Sequence, residues 1–261
     1  MTNPKISSTH IYSDLDLNSR KIKKSTRVSR YFISAVLVVL LVGSYSGMLS
    51  AQETAPTMLA KRSVIPILGT TYNEQWEQVG IVADVEVEFE RRNDHEGLQL
   101  EFLTKPGRFS SLAKRSVQEA LALVTEAAGL NPDSWTVRFR LPYAGVTLYG
   151  ESLSAMAAMS VVALAKGEVV HSDIVMTGTV TPEGSIGTVG GIPLKIVAAH
   201  HEHFRRVLIP EEPDVADGDW ETPFLMHVSP VKSVDVAYFA LTDHHLKASG
   251  ADQQFEVSLA R

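Results

Sequence analysis

The sequence of 261 residues contains no cysteine. This absence excludes disulfides, zinc sites with cysteine ligands, iron–sulfur clusters and a thiol nucleophile, and it leaves the redox compartment open. A phosphate-binding loop of the form Gly-x-x-x-x-Gly-Lys-Ser/Thr is also missing, so no nucleotide cofactor is predicted. The formal net charge is −6, which gives no reason to expect a nucleic-acid partner.

The charges are unevenly distributed along the chain. Residues 1–30 carry seven Lys/Arg and two Asp/Glu, residues 31–51 carry none, and the remainder carries 17 basic and 28 acidic residues. A basic tip before an uncharged apolar segment is typical of membrane targeting, with the N-terminus cytoplasmic and the body across the membrane. We therefore expect 1–30 to be a disordered cytoplasmic tail and 31–51 to be a transmembrane anchor or the hydrophobic region of a signal peptide. A buried core helix is the disfavoured alternative for 31–51.

The rest of the sequence alternates predicted strands and helices. Alternation of apolar and charged residues predicts strands at 79–91 and 97–104, paired with each other through a turn, and helical spacing predicts a helix at 110–128. Further strands are predicted at 135–142, 169–176, 206–209 and 224–228, further helices at 152–165, 194–203 and 231–240, and a Gly-rich hairpin or loop at 177–191. This order predicts a mixed α/β or α+β domain, preceded by a linker at 52–66.

Ser152 stands at the start of a predicted helix, and this position has two interpretations. Serine is a preferred N-cap residue, because its oxygen accepts a backbone N–H of the first turn. The other interpretation is a nucleophile whose oxyanion is held by the backbone N–H groups of that helix terminus. A nucleophilic serine needs a base, and Lys195 lies among apolar residues, where burial would lower its pKa.

These residues, taken in order, resemble the serine–lysine proteolytic domain of Lon proteases. The resemblance rests on Gly150-Glu151-Ser152, Met176-Thr177-Gly178, Gly190-Gly191 and Lys195, and the separation of 43 residues between Ser152 and Lys195 fits the family without a gap. It covers roughly 79–228. It implies a Lon-like proteolytic domain at 67–245, related in architecture to the second domain of ribosomal protein S5 (S5 domain 2-like), with a C-terminal tail at 246–261.

By resemblance, Ser152 is the nucleophile, Lys195 its base and Thr177 the residue that orients the lysine. The implied activity is serine endopeptidase cleavage of unfolded or flexible polypeptide. Because no ATPase motif is found, we expect a stand-alone, ATP-independent protease that is membrane-anchored or secreted to the periplasm. Rings are usual in the family, so a homo-oligomer is compatible with the resemblance.

Several residues depart from the common family pattern. Glu151 and Ser154 resemble a membrane-anchored archaeal branch, whereas Leu153 replaces a small residue and could crowd the oxyanion site. Glu151 near Lys195 would favour the ammonium form, so its carboxylate is predicted to point away. The alternative function is an inactive Lon-fold module that binds peptide segments or a membrane partner. A third is a bare α/β domain whose serine only caps a helix.

Two histidine-rich stretches invite a metal interpretation. They are His200-His201-Glu202-His203 and Asp243-His244-His245. Neither matches the His-x-x-x-His spacing that places two ligands on one helix face. We therefore predict no metal site and no cofactor.

Overall fold

The computed structural model describes residues 60–212, 214–218 and 220–247. Within these ranges the chain forms two main sheets, two short strand pairs and four α-helices. The predicted mixed α+β architecture is confirmed. The segments at 1–30 and 31–51 lie outside the described residues, as do 52–59. No helix in the described ranges is long and apolar enough to cross a membrane.

The first sheet has the strand order β1-β2-β5-β3. Its members are β1 (Lys61–Tyr72), β2 (Gln78–Arg91), β5 (Trp135–Arg140) and β3 (Gln99–Phe102). Apolar residues of β2 face the core, while its glutamates face outward and pair with arginines of β1 and β5. The alternation that predicted β2 therefore reflects a sheet with one buried and one charged face.

Two predictions about this sheet are wrong. The predicted linker at 52–66 extends too far, because residues 61–66 form the first half of β1. Pro66 argues against a strand, but β1 is an edge strand, where a missing N–H donor is tolerated. The predicted pairing of β3 with β2 is also wrong, because β3 runs parallel to β5. Alternation shows which face of a strand is buried, but not which strand lies beside it.

Helices α2 (Ser154–Lys166) and α3 (Ile192–His201) contact this sheet, and helices α1 (Ser111–Ala128) and α4 (Val234–Thr242) pack on α2. The prediction for α1 is confirmed, with Ser110 capping its start and left-handed Gly129 its end. Helix α2 is buried on every side from Ser154 to Ala163, so it forms the centre of the core.

A second sheet consists of three parallel strands. Its order is β11-β10-β7, formed by β11 (His227–Val231), β10 (Arg206–Pro210) and β7 (Ile174–Met176). The predicted loop at 177–191 contains a hairpin of β8 (Thr179–Val180) and β9 (Ile186–Gly187). A short parallel pair joins β4 (Arg108–Phe109) to β6 (Thr147–Leu148).

Helix α3 rests directly on the backbone of β2. At Gly80 an added Cβ atom would lie 1.9 Å from the carbonyl oxygen of Leu194. Non-bonded atoms do not approach this closely, so any side chain at position 80 would clash and only glycine fits there. The residue after Leu194 is Lys195, and the sheet therefore fixes the part of α3 that presents the lysine.

The C-terminal limit of the domain differs slightly from the predicted residue 245. Leu246 is buried in the main core, and its backbone N–H donates to the Asp235 carboxylate at 2.8 Å. The domain thus includes the first residue of the predicted tail. Residues 248–261 lie outside the described ranges.

Candidate active site

Ser152 lies in a turn that precedes helix α2, two residues before the helix begins. The N-cap residue is Leu153, and no side chain makes a capping hydrogen bond there. The predicted helix start at Ser152 is therefore wrong, and the capping role that Ser152 was given in one interpretation is not what the structure shows. The Ser152 side chain is partly exposed.

The Ser152 turn is fastened to the strand segment that follows β7. The Gly178 N–H donates to the Ser152 carbonyl at 3.0 Å, and the Ala155 N–H donates to the Gly178 carbonyl at 3.2 Å. In the described part of the chain, the N–H groups of Ser152 and Leu153 have no acceptor. These two donors belong to Ser152 and the residue that follows it, and they are available to hold an oxyanion.

Lys195 is buried in the interior and is only 3% exposed. Its Nζ donates to Thr177 Oγ1 at 3.2 Å. Thr177 is itself fully buried, and its backbone N–H donates to the Leu208 carbonyl at 3.1 Å. Strand β10 therefore holds the threonine, and the threonine orients the end of the lysine.

Burial has a direct electrostatic consequence for Lys195. Removal from water disfavours the ammonium form and lowers the pKa of Lys195 from 10.5 to about 8, while the Asp217 carboxylate acts in the opposite direction. A substantial fraction of the amine is consequently neutral at mildly alkaline pH. A neutral amine is a competent proton acceptor, whereas an exposed lysine would be fully charged.

Ser152 and Lys195 line one cleft of about 730 Å³. Its walls come from the second half of β1, from 146–153 and from 188–190, with Asp214 at the edge. Thr177 is not a lining residue, but it accepts the hydrogen bond of Lys195, and the next residue, Gly178, donates to the Ser152 carbonyl. Within the described residues, Lys195 Nζ donates its hydrogen bond to Thr177 Oγ1 and makes no direct hydrogen bond to Ser152 Oγ.

Asp217 is a site residue that the sequence reasoning missed. It ends a 3-10 turn at Val215–Asp217, and its carboxylate accepts the N–H of Gly191 at 2.8 Å and that of Ile192 at 3.0 Å. Asp217 thus caps helix α3 from 25 residues away. An aspartate at a helix start is a familiar signal, but here it comes from a distant loop and not from the preceding residue.

The two residues that complicated the prediction occupy different environments. Glu151 is exposed at the cleft, and the carboxylate that acts on Lys195 belongs to Asp217. Leu153 is 3% exposed and packs in the main core. Leu153 also borders the cleft that contains Ser152, so it contributes both to the core and to the cleft wall.

The candidate histidines are spread over the surface. His200 and His201 end helix α3, while His171 pairs with Asp243 and His245 pairs with Asp235. No group of three or more His, Asp or Glu side chains in the described ranges could hold a metal ion.

Comparisons with known proteins agree with the resemblance seen in the sequence. A family model described as the Lon protease (S16) C-terminal proteolytic domain matches residues 75–239. A Lon protease from Syntrophomonas wolfei is 34% identical over 116 residues, which cover 42% of this chain and 14% of that protein. The Escherichia coli K12 Lon protease is 32% identical over 116 residues, with 42% and 15% covered.

A third relative aligns over a longer stretch. The Lon protease of Mycolicibacterium smegmatis is 29% identical over 163 residues, which cover 59% of this chain and 20% of the relative. The chain therefore corresponds to a fifth or less of the length of these Lon proteases. Since the family model matches more than half of its residues, the chain belongs to the family of Lon C-terminal proteolytic domains.

Proposed function

We propose that the chain is a serine endopeptidase that hydrolyses peptide bonds with Ser152 and Lys195. The observation that carries this proposal is a buried lysine, with a pKa of about 8, in the same cleft as the serine. Thr177 supports it, because its hydroxyl accepts the hydrogen bond that orients the lysine. Membership of a proteolytic-domain family gives the reaction class.

The proposed reaction begins with proton transfer from Ser152 Oγ to the neutral Lys195 amine. The serine oxygen attacks the scissile carbonyl, and the resulting oxyanion lies against the free N–H groups of Ser152 and Leu153. The Lys195 ammonium then protonates the leaving amine, which breaks the C–N bond and leaves an acyl-enzyme. Water, giving its proton to Lys195, attacks the ester, and the proton returns to Ser152 as the acid departs.

The substrate and the setting of the enzyme are part of the same proposal. We propose that the substrate is an unfolded or flexible polypeptide, which the cleft of about 730 Å³ is large enough to receive in part. The lack of a Gly-x-x-x-x-Gly-Lys-Ser/Thr loop in the sequence supports the proposal that cleavage needs no ATP. The basic 1–30 segment and the apolar 31–51 segment support a membrane-tethered or exported enzyme. Mass spectrometry of the mature N-terminus in membrane and soluble fractions tests this. An uncleaved N-terminus in the soluble cytoplasmic fraction would overturn it.

A serine-directed fluorophosphonate probe tests the catalytic assignment. We expect the full chain to be labelled at pH 8–9, and labelling and cleavage of an unfolded polypeptide to be lost in Ser152→Ala and Lys195→Ala. Ser154→Ala is the matched control, because Ser154 is buried, its hydroxyl has no partner in the described part of the chain, and it should label normally.

Two outcomes would contradict the proposal. Labelling that persists in Ser152→Ala would remove Ser152 as the nucleophile. A folded wild-type chain that is not labelled at all would favour the peptide-binding module instead.

A further inference from the structure

The start of helix α3 depends on a residue outside the helix. Its N-cap residue is Gly191, which has no side chain to accept a hydrogen bond. The two oxygens of Asp217 take this role by accepting the N–H groups of Gly191 and Ile192. A carboxylate at a helix N-terminus satisfies unpaired donors and complements the partial positive charge there.

Lys195 lies within the same helical turn. Its backbone N–H donates to the Gly191 carbonyl at 3.1 Å, so the capped segment and the lysine form one hydrogen-bonded unit. Any movement of Gly191 and Ile192 would be transmitted to the lysine. On the other side, Gly80 of β2 blocks movement of Leu194 toward the sheet.

We propose that Asp217 is a positioning residue for Lys195: its carboxylate fixes the first turn of α3 and supplies the negative charge that faces the lysine. This inference rests on the proposed role of Lys195 as the base for Ser152. Asp217 acts through the helix and does not touch the reacting atoms, so it is not itself a catalytic residue.

A second contact ties the Asp217 segment to the loop before α3. The Thr188 hydroxyl donates to the Glu212 carbonyl at 3.0 Å. The segment from Glu212 to Asp217 therefore contacts the 188–192 loop at two points, one on each side of Gly190. The 188–192 loop and the start of helix α3 are thus held in place by the segment from Glu212 to Asp217, which supplies neither the proposed nucleophile nor the proposed base.

The charge of Asp217 opposes the effect of burial. Burial lowers the pKa of Lys195, and Asp217 raises it. Lys195 also lies one turn from the helix N-terminus, whose partial positive charge further disfavours an ammonium group. Two further carboxylates, those of Glu151 and Asp214, line the cleft, whereas Asp217 is not among the lining residues. Of these three acids, Asp217 alone is bonded to the helix that carries the lysine.

The test is Asp217→Asn in the full chain, compared with Asp214→Asn. Asparagine at 217 keeps the size of the side chain but removes its charge and one of its two acceptors. Asparagine at 214 removes a nearby charge, yet it can still accept the Ala216 N–H that Asp214 now accepts at 3.0 Å. The two variants therefore separate loss of the α3 cap from loss of negative charge near the cleft.

For Asp217→Asn we expect two changes in peptide hydrolysis. The acid limb of the profile of kcat/KM against pH, near pH 8 in the wild type, should move to lower pH because the lysine loses a stabilising negative charge. The plateau kcat should fall about 10-fold with little change in KM, because the base is less well held. Asp214→Asn should lower the plateau kcat by less than Asp217→Asn does, because it leaves the cap of α3 intact.

A titration that does not depend on activity separates this inference from the proposed function. The chain is labelled with 13Cε-lysine, and the Lys195 signal is assigned by its loss in Lys195→Met. Its midpoint should move to lower pH in Asp217→Asn, even if the chain hydrolyses no peptide. An unchanged Lys195 midpoint, or a plateau kcat that falls equally in both asparagine variants, would overturn the role of Asp217.

Discussion

Helices α2 and α3 both begin at the cleft, but their first turns are completed in opposite ways. At α2 no side chain caps the helix, and the N–H groups of Ser152 and Leu153 have no acceptor among the described residues. At α3 the carboxylate of Asp217 occupies the N–H groups of Gly191 and Ile192.

The difference separates two uses of the same structural feature. Unpaired N–H groups at a helix start are electrostatically positive and can receive an anion. In the proposed reaction, the free N–H groups of Ser152 and Leu153 before α2 would receive the oxyanion of the substrate. The start of α3 already holds an internal anion, Asp217, on the helix that carries Lys195. On this proposal, one helix start serves the substrate and the other serves the base.

The largest effect should come from Lys195→Met, which removes the base from the helix that Asp217 caps. We expect hydrolysis to fall by about 10²–10⁴-fold, the usual contribution of a general base. The same change should stabilise the fold at pH 7. The fall in the pKa of Lys195 from 10.5 to about 8 means that the buried ammonium destabilises the fold by about 3 kcal/mol. Methionine removes this cost but leaves the Thr177 hydroxyl without a partner, which costs about 1 kcal/mol.

The sign follows from proton binding. Between pH 8 and 10.5 the unfolded chain holds more protons on this lysine than the folded chain, so the Lys195 contribution to stability rises with pH there. The advantage of Lys195→Met should therefore be complete below pH 8 and shrink above it, as measured by urea unfolding. Lys166→Met is the control. Lys166 pairs with Glu168 at 2.8 Å, so Lys166→Met should lower the free energy of unfolding. A destabilised Lys195→Met at pH 7 would contradict the burial argument.

A smaller effect should distinguish the glycines before the two helices. Gly150 and Gly191 have φ values of 81° and 72°, so alanine at either position costs about 1–2 kcal/mol of backbone strain. At Gly150 an added Cβ meets nothing within 4 Å, whereas at Gly191 it would lie 2.8 Å from Thr70 Cγ2. Gly191→Ala should therefore lower the free energy of unfolding by more than Gly150→Ala, in parallel urea titrations. Equal losses would show that the start of α3 is no tighter than the turn before Ser152.

The smallest effect should come from Thr177, which lies between the two helix starts. Thr177→Val removes the acceptor of the Lys195 hydrogen bond and should lower kcat by up to about 10-fold, since a hydrogen bond of the neutral amine is worth about 0.5–1.5 kcal/mol. Thr177→Ser keeps the hydroxyl and should lie within about 3-fold of the wild type. If both variants lose the same activity, the methyl group and its packing matter more than the hydrogen bond.

Local signals in the sequence predict the parts of the fold that local chemistry decides. Ser110 and Gly129 delimit α1, and the alternation from Val85 to Phe89 defines the buried face of β2. The family motifs brought Ser152, Thr177 and Lys195 into consideration. In the structure Ser152 and Lys195 line one cleft, and Thr177 accepts a hydrogen bond from Lys195.

The parts that were missed depend on contacts between distant residues. The pairing of β3 with β5 and the edge position of β1 are properties of the assembled sheet. Ser152 matched the preference for an N-cap residue, but the turn fastened by Gly178 places the helix start two residues later. Helix α3 and strand β10 separate Asp217 from Gly191 in the sequence, and no spacing rule connects the two residues.

Because Gly80 contacts Leu194, the effect of a mutation will not simply decrease with distance from Ser152 and Lys195. Gly80 bears no reactive group, yet every other amino acid would place an atom where the Leu194 carbonyl oxygen already lies. If position 80 is randomised and variants are selected for activity, glycine should be recovered almost exclusively. Position 151, which is exposed and adjacent to the proposed nucleophile Ser152, should accept many side chains.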